Sequence, residues 1–229
     1  MNEFADPHVE LIAHTTLACN GRSPAIEGHM SLDPDAGDAQ QLVEFAGRAC
    51  YQSFHKPNPA TAKNGDYIAR TLHGQKHFSI AEHASATFYI TGVSRALTHE
   101  LVRHRHLSYS QLSQRFVDES DANIVIPPAA RGSEKLTWEF ENAAAGARHS
   151  YRELVEALLD SGLPRKQARE AARAVLPNMI ETRIVVTGNL RAWHEVITRR
   201  TAPDADAEFQ QVAGLIRDEL QKLAPEVFK

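Results

Sequence analysis

Short runs of β-branched and apolar residues along this chain predict strands, and longer runs with apolar residues three and four positions apart predict helices. The strands are expected at residues 9–17, 83–92, 111–116 and 180–187. The helices are expected at residues 38–49, 66–76, 93–106, 133–162, 164–176, 191–200 and 205–223. Because the two kinds of element do not alternate regularly, we predict an α+β fold in which helices flank a mixed sheet. The length of 229 residues fits one domain, residues 1–229.

The charged residues are dominated by arginine and are unevenly distributed. The sequence has 25 basic and 29 acidic residues, a net charge of −4, and its basic residues are 18 Arg and 7 Lys. Residues 1–44 carry a net charge of −7, whereas residues 164–200 carry a net charge of +5. Arginine presents a rigid set of donors that suits phosphate and carboxylate groups, so this excess indicates recognition of an anion.

The sequence gives no indication of export or of a membrane partner. Cys19 and Cys50 are its only cysteines, which are too few for a disulfide framework. The first residues do not combine a basic segment with an apolar run, and no apolar stretch is long enough to span a bilayer. We therefore expect a cytoplasmic protein. Cys50 is interpreted as a small buried residue rather than as a nucleophile.

Residues 103–115 form the densest group of candidate ligand-binding side chains, with three Arg, two His, three Ser and two Gln. Arg95, His99 and Arg103 are four residues apart and share one face of the predicted helix. In the predicted extended segment that follows, the alternate residues from 111 to 115 share another face. These donors would suit a nucleoside monophosphate, while charge alone is also typical of a solvated basic turn.

Several spaced motifs resemble those of the flavin-dependent thymidylate synthases. Seven residues separate an RHR triplet from the Ser of a QLSQR segment. The other motifs are EFAGRACYQS, KPNP, HFSIAEHAS, THELVRHRHLSYSQLSQR, RKQARxAARAVLPN and ETRIVVTGNLRAW. They follow the family's order over nearly the whole chain, and their amino-acid sequences are most similar to those of actinobacterial members. The resemblance implies the family's single-domain thymidylate synthase-complementing fold.

The resemblance also implies a reaction and its ligands. The enzyme would methylate dUMP to dTMP, with methylenetetrahydrofolate as carbon donor and with FAD, reduced by NADPH, as hydride carrier. FAD would contact Ser79, Glu82, Arg103, His104, Arg105, Gln111, Asn189, Arg191 and Glu195. The dUMP would contact Arg95, Glu100, Arg103, Gln111, Ser113, Arg115, Lys166, Arg173 and Arg200. The family's active sites lie between the subunits of a homotetramer, and Asn189 and Arg191 would reach FAD from a neighbouring subunit.

Arg200 is the catalytic residue that the resemblance implies, held against the uracil ring. Ionisation of the ring nitrogen near neutral pH requires a permanent positive charge beside it, and arginine keeps its proton. Hydride and methylene transfer belong to the cofactors, so the protein mainly orients the rings and excludes water. Gln111 and Glu195 stand where some family members have other residues, and Arg199 is interpreted as a structural or surface arginine.

Two other functions remain open from the residues alone. His77, His99, Glu82-His83 and His104-x-His106 are residue types that bind zinc or iron, although Arg103 and Arg105 would repel a dication. A non-enzymatic nucleic-acid binder could use the arginine stripes, but the acidic total charge and the lack of a basic tail oppose it. We therefore expect small-molecule partners, no metal and no nucleic acid.

Overall fold

The structure is a computed structural model that describes residues 4–55 and 58–229. Lys56 and Pro57 of the KPNP motif, together with residues 1–3, lie outside the described residues. The strands are β1 (His8–His14), β2 (Ser85–Ser94), β3 (Leu107–Gln111) and β4 (Glu181–Asn189). The α-helices of the described residues are α1 (Pro24–Glu27), α2 (Asp38–Tyr51), α3 (Asn64–Ile68), α4 (Arg95–Leu101), α5 (Glu134–Asp160), α6 (Arg165–Ala172), α7 (Leu190–Arg200) and α8 (Ala207–Leu223).

The four strands form one sheet in the order β1-β2-β4-β3. Its three strand pairs are all antiparallel, so the α+β class is confirmed and the expected mixture of strand directions is not found in this sheet. A parallel contact occurs only as an isolated bridge between Phe4 and Ile124, among the residues described. The two central strands pair over most of their lengths, from Ser85 opposite Asn189 to Ser94 opposite Glu181.

One face of the sheet is buried beneath helices α7 and α8. Every second residue of β2 and β4 is buried, as the alternation of apolar residues requires for a sheet with one covered face. Trp193 of α7 is fully buried, packs edge-on against Phe88 at 5.1 Å and donates its indole N–H to the Ala86 carbonyl at 3.0 Å. Helix α7 is thereby fixed on the sheet, and Arg200 at its end is fixed with it.

The predicted helix at 93–106 is shorter in the structure, and the strand predicted at 111–116 is wrong. Ser94 still belongs to β2, and its hydroxyl accepts from the Leu97 amide at 3.0 Å, which starts α4 at Arg95. The helix ends at Leu101, and Val102, which follows it, is 43% exposed. Strand β3 lies at 107–111, because its pairing with β4 stops at Gln111 and the chain turns at Ser113.

The other predicted elements are found with shifted ends. The strands predicted at 9–17, 83–92 and 180–187 correspond to β1, β2 and β4, and the long helix at 133–162 corresponds to α5. The helix predicted at 66–76 is α3 continued by a π-helix at Ala69–Gly74, and α6 is continued by a 3₁₀ turn at Arg173–Val175. Cys50 is exposed, so the prediction that it is buried is wrong.

A buried polar network joins α2 to α3. Glu44 and Arg48 are each 5% exposed, and the guanidinium donates to the carboxylate at 2.6 Å. The second Glu44 oxygen accepts from the Asn64 amide at 2.8 Å, and Arg48 also donates to the Thr61 carbonyl at 2.9 Å. Each charged group therefore has partners, as burial requires. Removing one member would leave the opposite charge buried and unpaired.

We expect Arg48→Met to lower the free energy of unfolding by about 3 kcal/mol, because Glu44 loses its buried counter-charge. The measurement is urea denaturation followed by circular dichroism, with the midpoint falling at an unchanged slope. Arg152→Met is the matched control, since its ion pair with Asp121 is largely exposed and contributes less than about 1 kcal/mol. The double variant Glu44→Leu/Arg48→Met should recover part of the loss, and equal midpoints for Arg48→Met and Arg152→Met would contradict this account.

Candidate active site

Arg200, the last residue of α7, is held from three sides. Its Nη1 donates to Glu100 Oε2 at 2.5 Å, and its Nε donates to His104 Nε2 at 3.1 Å. The guanidinium carbon lies 4.7 Å from the ring centre of Phe209 on α8. The Arg200 side chain is 21% exposed, so these contacts are partly shielded from water. The arrangement presents a permanent positive charge in a fixed orientation.

His104 is neutral in this arrangement, with its proton on Nδ1. An arginine Nε can only donate, so His104 Nε2 must accept. Burial lowers the pKa of His104, the neighbouring Arg200 and Arg199 charges lower it further, and Glu195 acts in the opposite direction. His104 therefore supports Arg200 as an acceptor rather than competing with it as a second cation.

Three adjoining clefts surround the exposed face of α7. The largest has a volume of about 490 Å³ and is lined by Lys76, His77, Phe78, Ser79, Arg191, His194, Glu195, Thr198 and Arg199. A second, of about 160 Å³, is lined by Arg103, His104, Arg105, His106, Leu107, Ala192, Glu195 and Arg199. A third, of about 220 Å³, is lined by Glu82, His106, Asn189, Arg191, Ala192 and Glu195. Shared side chains make these clefts one surface, which we call the α7 clefts.

The α7 clefts bring together eight of the nine residues predicted to contact FAD; the ninth, Gln111, lies elsewhere. Arg191 donates to Glu82 Oε1 at 2.5 Å within one chain, so a neighbouring subunit is not needed to bring these two residues together. Asn189 Oδ1 caps α7 by accepting from the Ala192 amide at 2.8 Å, which leaves its side-chain N–H₂ as a donor. Glu195 is paired with Arg199 at 2.8 Å.

The remaining predicted nucleotide-binding residues form a second group, around the end of β3 and helix α6. Gln111 donates to the hydroxyls of Thr98 at 2.9 Å and Thr182 at 3.3 Å. Arg95, half-buried, donates to the Leu112 carbonyl at 3.4 Å. Arg115 pairs with Glu170 of α6 at 2.8 Å. We call this group, with Ser113, Lys166 and Arg173, the α6 group.

The structure thus divides the predicted dUMP contacts in two. Arg103 lines the α7 clefts, and Arg200, with its partner Glu100, is joined to them through its hydrogen bond to His104. The other six form the α6 group. Among the described residues, no hydrogen bond or ion pair joins a predicted dUMP contact of one group directly to one of the other. One chain therefore presents the predicted nucleotide-binding side chains in two sets that are not directly bonded to each other.

A buried carboxylate lies behind the α6 group. Glu119 is 2% exposed, and burial raises its pKa to about 7, with Arg95 opposing the shift and Glu181 and Asp118 adding to it. Burial also lowers the pKa of Arg95, Glu119 opposes that shift and Arg173 adds to it. The Glu119 carboxyl and the Arg95 guanidinium therefore each favour the charged form of the other. No motif in the sequence points to Glu119, because its position follows from the turn after β3.

The sequence-based prediction also omits aromatic residues that line the α7 clefts or contact Arg200. Phe78 and His194 lie with ring centres 4.6 Å apart and form an aromatic wall of the largest cleft. Burial lowers the pKa of His194, and His73 and Lys76 lower it further. Phe78 is within the HFSIAEHAS motif and could have been included from it. Phe209 carried no sequence signal, since an apolar residue on an amphipathic helix predicts only a core position.

The structure also bears on metal binding and on membrane spans. In the parts of the chain that the structure describes, no three His, Cys, Asp or Glu side chains come together in a way suited to a metal ion. Among the same residues, no helix is long and apolar enough to cross a bilayer.

Comparison with known proteins identifies the family. The family described as thymidylate synthase complementing protein matches residues 34–226. The flavin-dependent thymidylate synthase of Mycobacteroides abscessus is 50% identical, over 100% of this chain and 91% of the relative. The corresponding proteins of Mycolicibacterium gilvum and Mycobacterium tuberculosis are 51% and 49% identical over the same shares. With this agreement along its whole length, the chain belongs to the flavin-dependent thymidylate synthase family.

Proposed function

We propose that this protein catalyses the reductive methylation of dUMP to dTMP. Methylenetetrahydrofolate donates the carbon, and FAD, reduced by NADPH, carries the hydride. The observation that carries the proposal is the fixed Arg200 guanidinium beside the cationic α7 clefts, since an ionised pyrimidine and a dinucleotide cofactor both require such charges. The full-length similarity to flavin-dependent thymidylate synthases supports the same reaction.

The side chains of the α7 clefts fit FAD. Arg103, Arg105 and Arg191 are exposed and can face a pyrophosphate, which guanidinium groups bind with paired hydrogen bonds. Glu82 and Glu195 can accept from hydroxyl or ring N–H groups, and the wall of Phe78 and His194 suits a planar ring. When bound, FAD would supply the hydride. The protein's part is to hold the rings in place and to exclude water.

The nucleotide would be held by its phosphate at the α6 group and by its base at Arg200. Ser113, Arg115 and Arg173 offer a hydroxyl and two guanidiniums, the donors that a phosphate dianion requires. Arg200 would lie against the uracil ring and stabilise the negative charge that forms when the ring nitrogen loses its proton. This charge activates the adjacent carbon–carbon double bond.

We also propose a homotetramer with active sites between subunits. The support is that one chain separates the base-side residues from the phosphate-side residues. Assembly would bring the α7 clefts of one subunit to the α6 group of another. Sedimentation velocity of the purified protein tests this assembly, and a monomer at micromolar concentration would contradict it.

We expect the purified protein to bind FAD and to lose its flavin absorbance when NADPH is added in the absence of oxygen. Addition of dUMP and methylenetetrahydrofolate should restore the flavin absorbance and form dTMP. Absorbance spectroscopy and chromatography of the nucleotides provide the measurement. If the protein gains neither flavin absorbance nor thermal stability on incubation with FAD and dUMP, the proposal that it is this enzyme is wrong. Metal analysis and salt-dependent DNA binding would then separate the other two functions.

Arg200→Gln should lower dUMP-dependent oxidation of the reduced flavin by about 100- to 1,000-fold, because glutamine retains donors but not the charge. Since Arg200 is predicted to act on the base, FAD should remain bound, as judged by the absorbance ratio of flavin to protein. Arg217→Gln on α8, where Arg217 pairs with the adjacent Asp218, is the control. Full turnover in Arg200→Gln would remove this residue from the mechanism.

Arg173→Gln should raise the dissociation constant of dUMP by about 10- to 100-fold, because a charge-assisted hydrogen bond to phosphate contributes about 1.5–3 kcal/mol. Deoxyuridine has no phosphate, so its affinity should not change. Titration calorimetry of both ligands on the FAD-loaded protein makes the comparison, with the exposed Arg152→Gln as control. An equal loss for both ligands would contradict a phosphate-binding role.

A further inference from the structure

We propose that the first turn of α8 positions Arg200, and that the ring face of Phe209 is the principal contact through which it does so. This inference rests on the proposed function, in which Arg200 acts on the pyrimidine ring. It adds to that function a positioning residue on a helix that contributes none of the predicted ligand contacts.

The contact geometry is that of a buried cation–π interaction. Phe209 is 0% exposed, and the Arg200 guanidinium carbon lies 4.7 Å from its ring centre. The same ring meets the His104 ring nearly at right angles, 80°, at 6.2 Å. Phe209 therefore contacts both the guanidinium and the imidazole that accepts from it.

The first turn of α8 is itself tied to α4. Asp206 Oδ1 accepts from the amides of Glu208 and Phe209 at 3.0 and 3.1 Å, which caps α8. The buried Glu208 carboxylate accepts from the Ser94 amide at 2.7 Å and from its hydroxyl at 2.6 Å. That hydroxyl also accepts from the Leu97 amide and so starts α4. One turn of helix thus fixes the ring below Arg200 and the helix that carries Glu100.

This arrangement orders a flexible side chain and leaves donors for a ligand. Arginine has five N–H donors, of which Glu100 and His104 take two. Within the described residues, the other three have no protein acceptor and remain for a ligand. The aromatic ring supports the guanidinium without using any of these donors. A polar side chain at position 209 could not do this.

The test weakens the electrostatic attraction of the Phe209 ring for the Arg200 guanidinium in steps, while the shape of the ring is nearly unchanged. Phe209 is replaced in the FAD-loaded, full-length protein by 4-fluoro-, difluoro-, trifluoro- and pentafluorophenylalanine, which progressively weaken the negative ring face. We expect kcat for dTMP formation to fall with each step, reaching about tenfold, while KM for dUMP and the unfolding temperature change little. The same series at Phe45 of α2, whose ring packs against Phe54 at 5.2 Å, is the control and should leave kcat unchanged.

A second readout does not depend on turnover. His104 is faced by Arg200, Arg199 and Glu195 of α7 and by the Phe209 ring of α8, and the Arg200 charge lowers its pKa. If fluorination frees the guanidinium, the pKa of His104 should rise toward its ordinary value of 6.5. Titration of His104 by NMR in the pentafluoro variant and in the Phe45 control measures this change.

The outcomes separate the inference from the function on which it rests. A flat kcat series together with an unchanged His104 titration, in a protein that Arg200→Gln inactivates, would overturn the role of Phe209 and leave the proposed function standing. Full turnover in Arg200→Gln would overturn the proposed function and this inference with it. A graded loss of kcat with a raised His104 pKa would support both.

Discussion

The antiparallel pairing of β2 with β4 is the constraint on which the site depends. Helix α4 leaves the Ser94 end of this pair and α7 leaves the Asn189 end, which lies opposite Ser85. The ten residues of β2 span about 30 Å. Helices α4 and α7 start at opposite ends of this strand and run back toward each other for about 10 and 16 Å. The far ends of the helices therefore approach each other over the sheet, and Glu100 meets Arg200 there. The contact follows from strand length, helix length and strand direction.

The same geometry explains the excess of arginine. Arg200 is shielded and paired, whereas Arg103, Arg105 and Arg191 are exposed around the α7 clefts. Arg95 and Arg115 belong to a separate group beside α6. Lysine would suit neither place as well, because planar donors are needed to bind phosphate in pairs and to lie against a ring.

Much of the fold could be predicted from periodicity, and the failures have physical causes. Helices α5, α7 and α8 were predicted to within a few residues because their apolar positions recur with helical spacing. The alternation of residues at 111–116 predicts a strand that begins four residues too late, because pairing with β4 decides where β3 begins and ends. Local pattern cannot reveal that pairing. For the same reason, the site residues within motifs were found, whereas Phe209 and Glu119, which reach the site through packing, were not.

The central claim is that the Arg200 charge ionises the bound pyrimidine, and the protonation state of that ring tests it most directly. The measurement is ¹⁵N NMR of dUMP labelled at the ring nitrogen and bound to the FAD-loaded protein near neutral pH. The account predicts the resonance of the anionic ring with the native protein and that of the protonated ring with Arg200→Gln. A protonated ring in both complexes would contradict it.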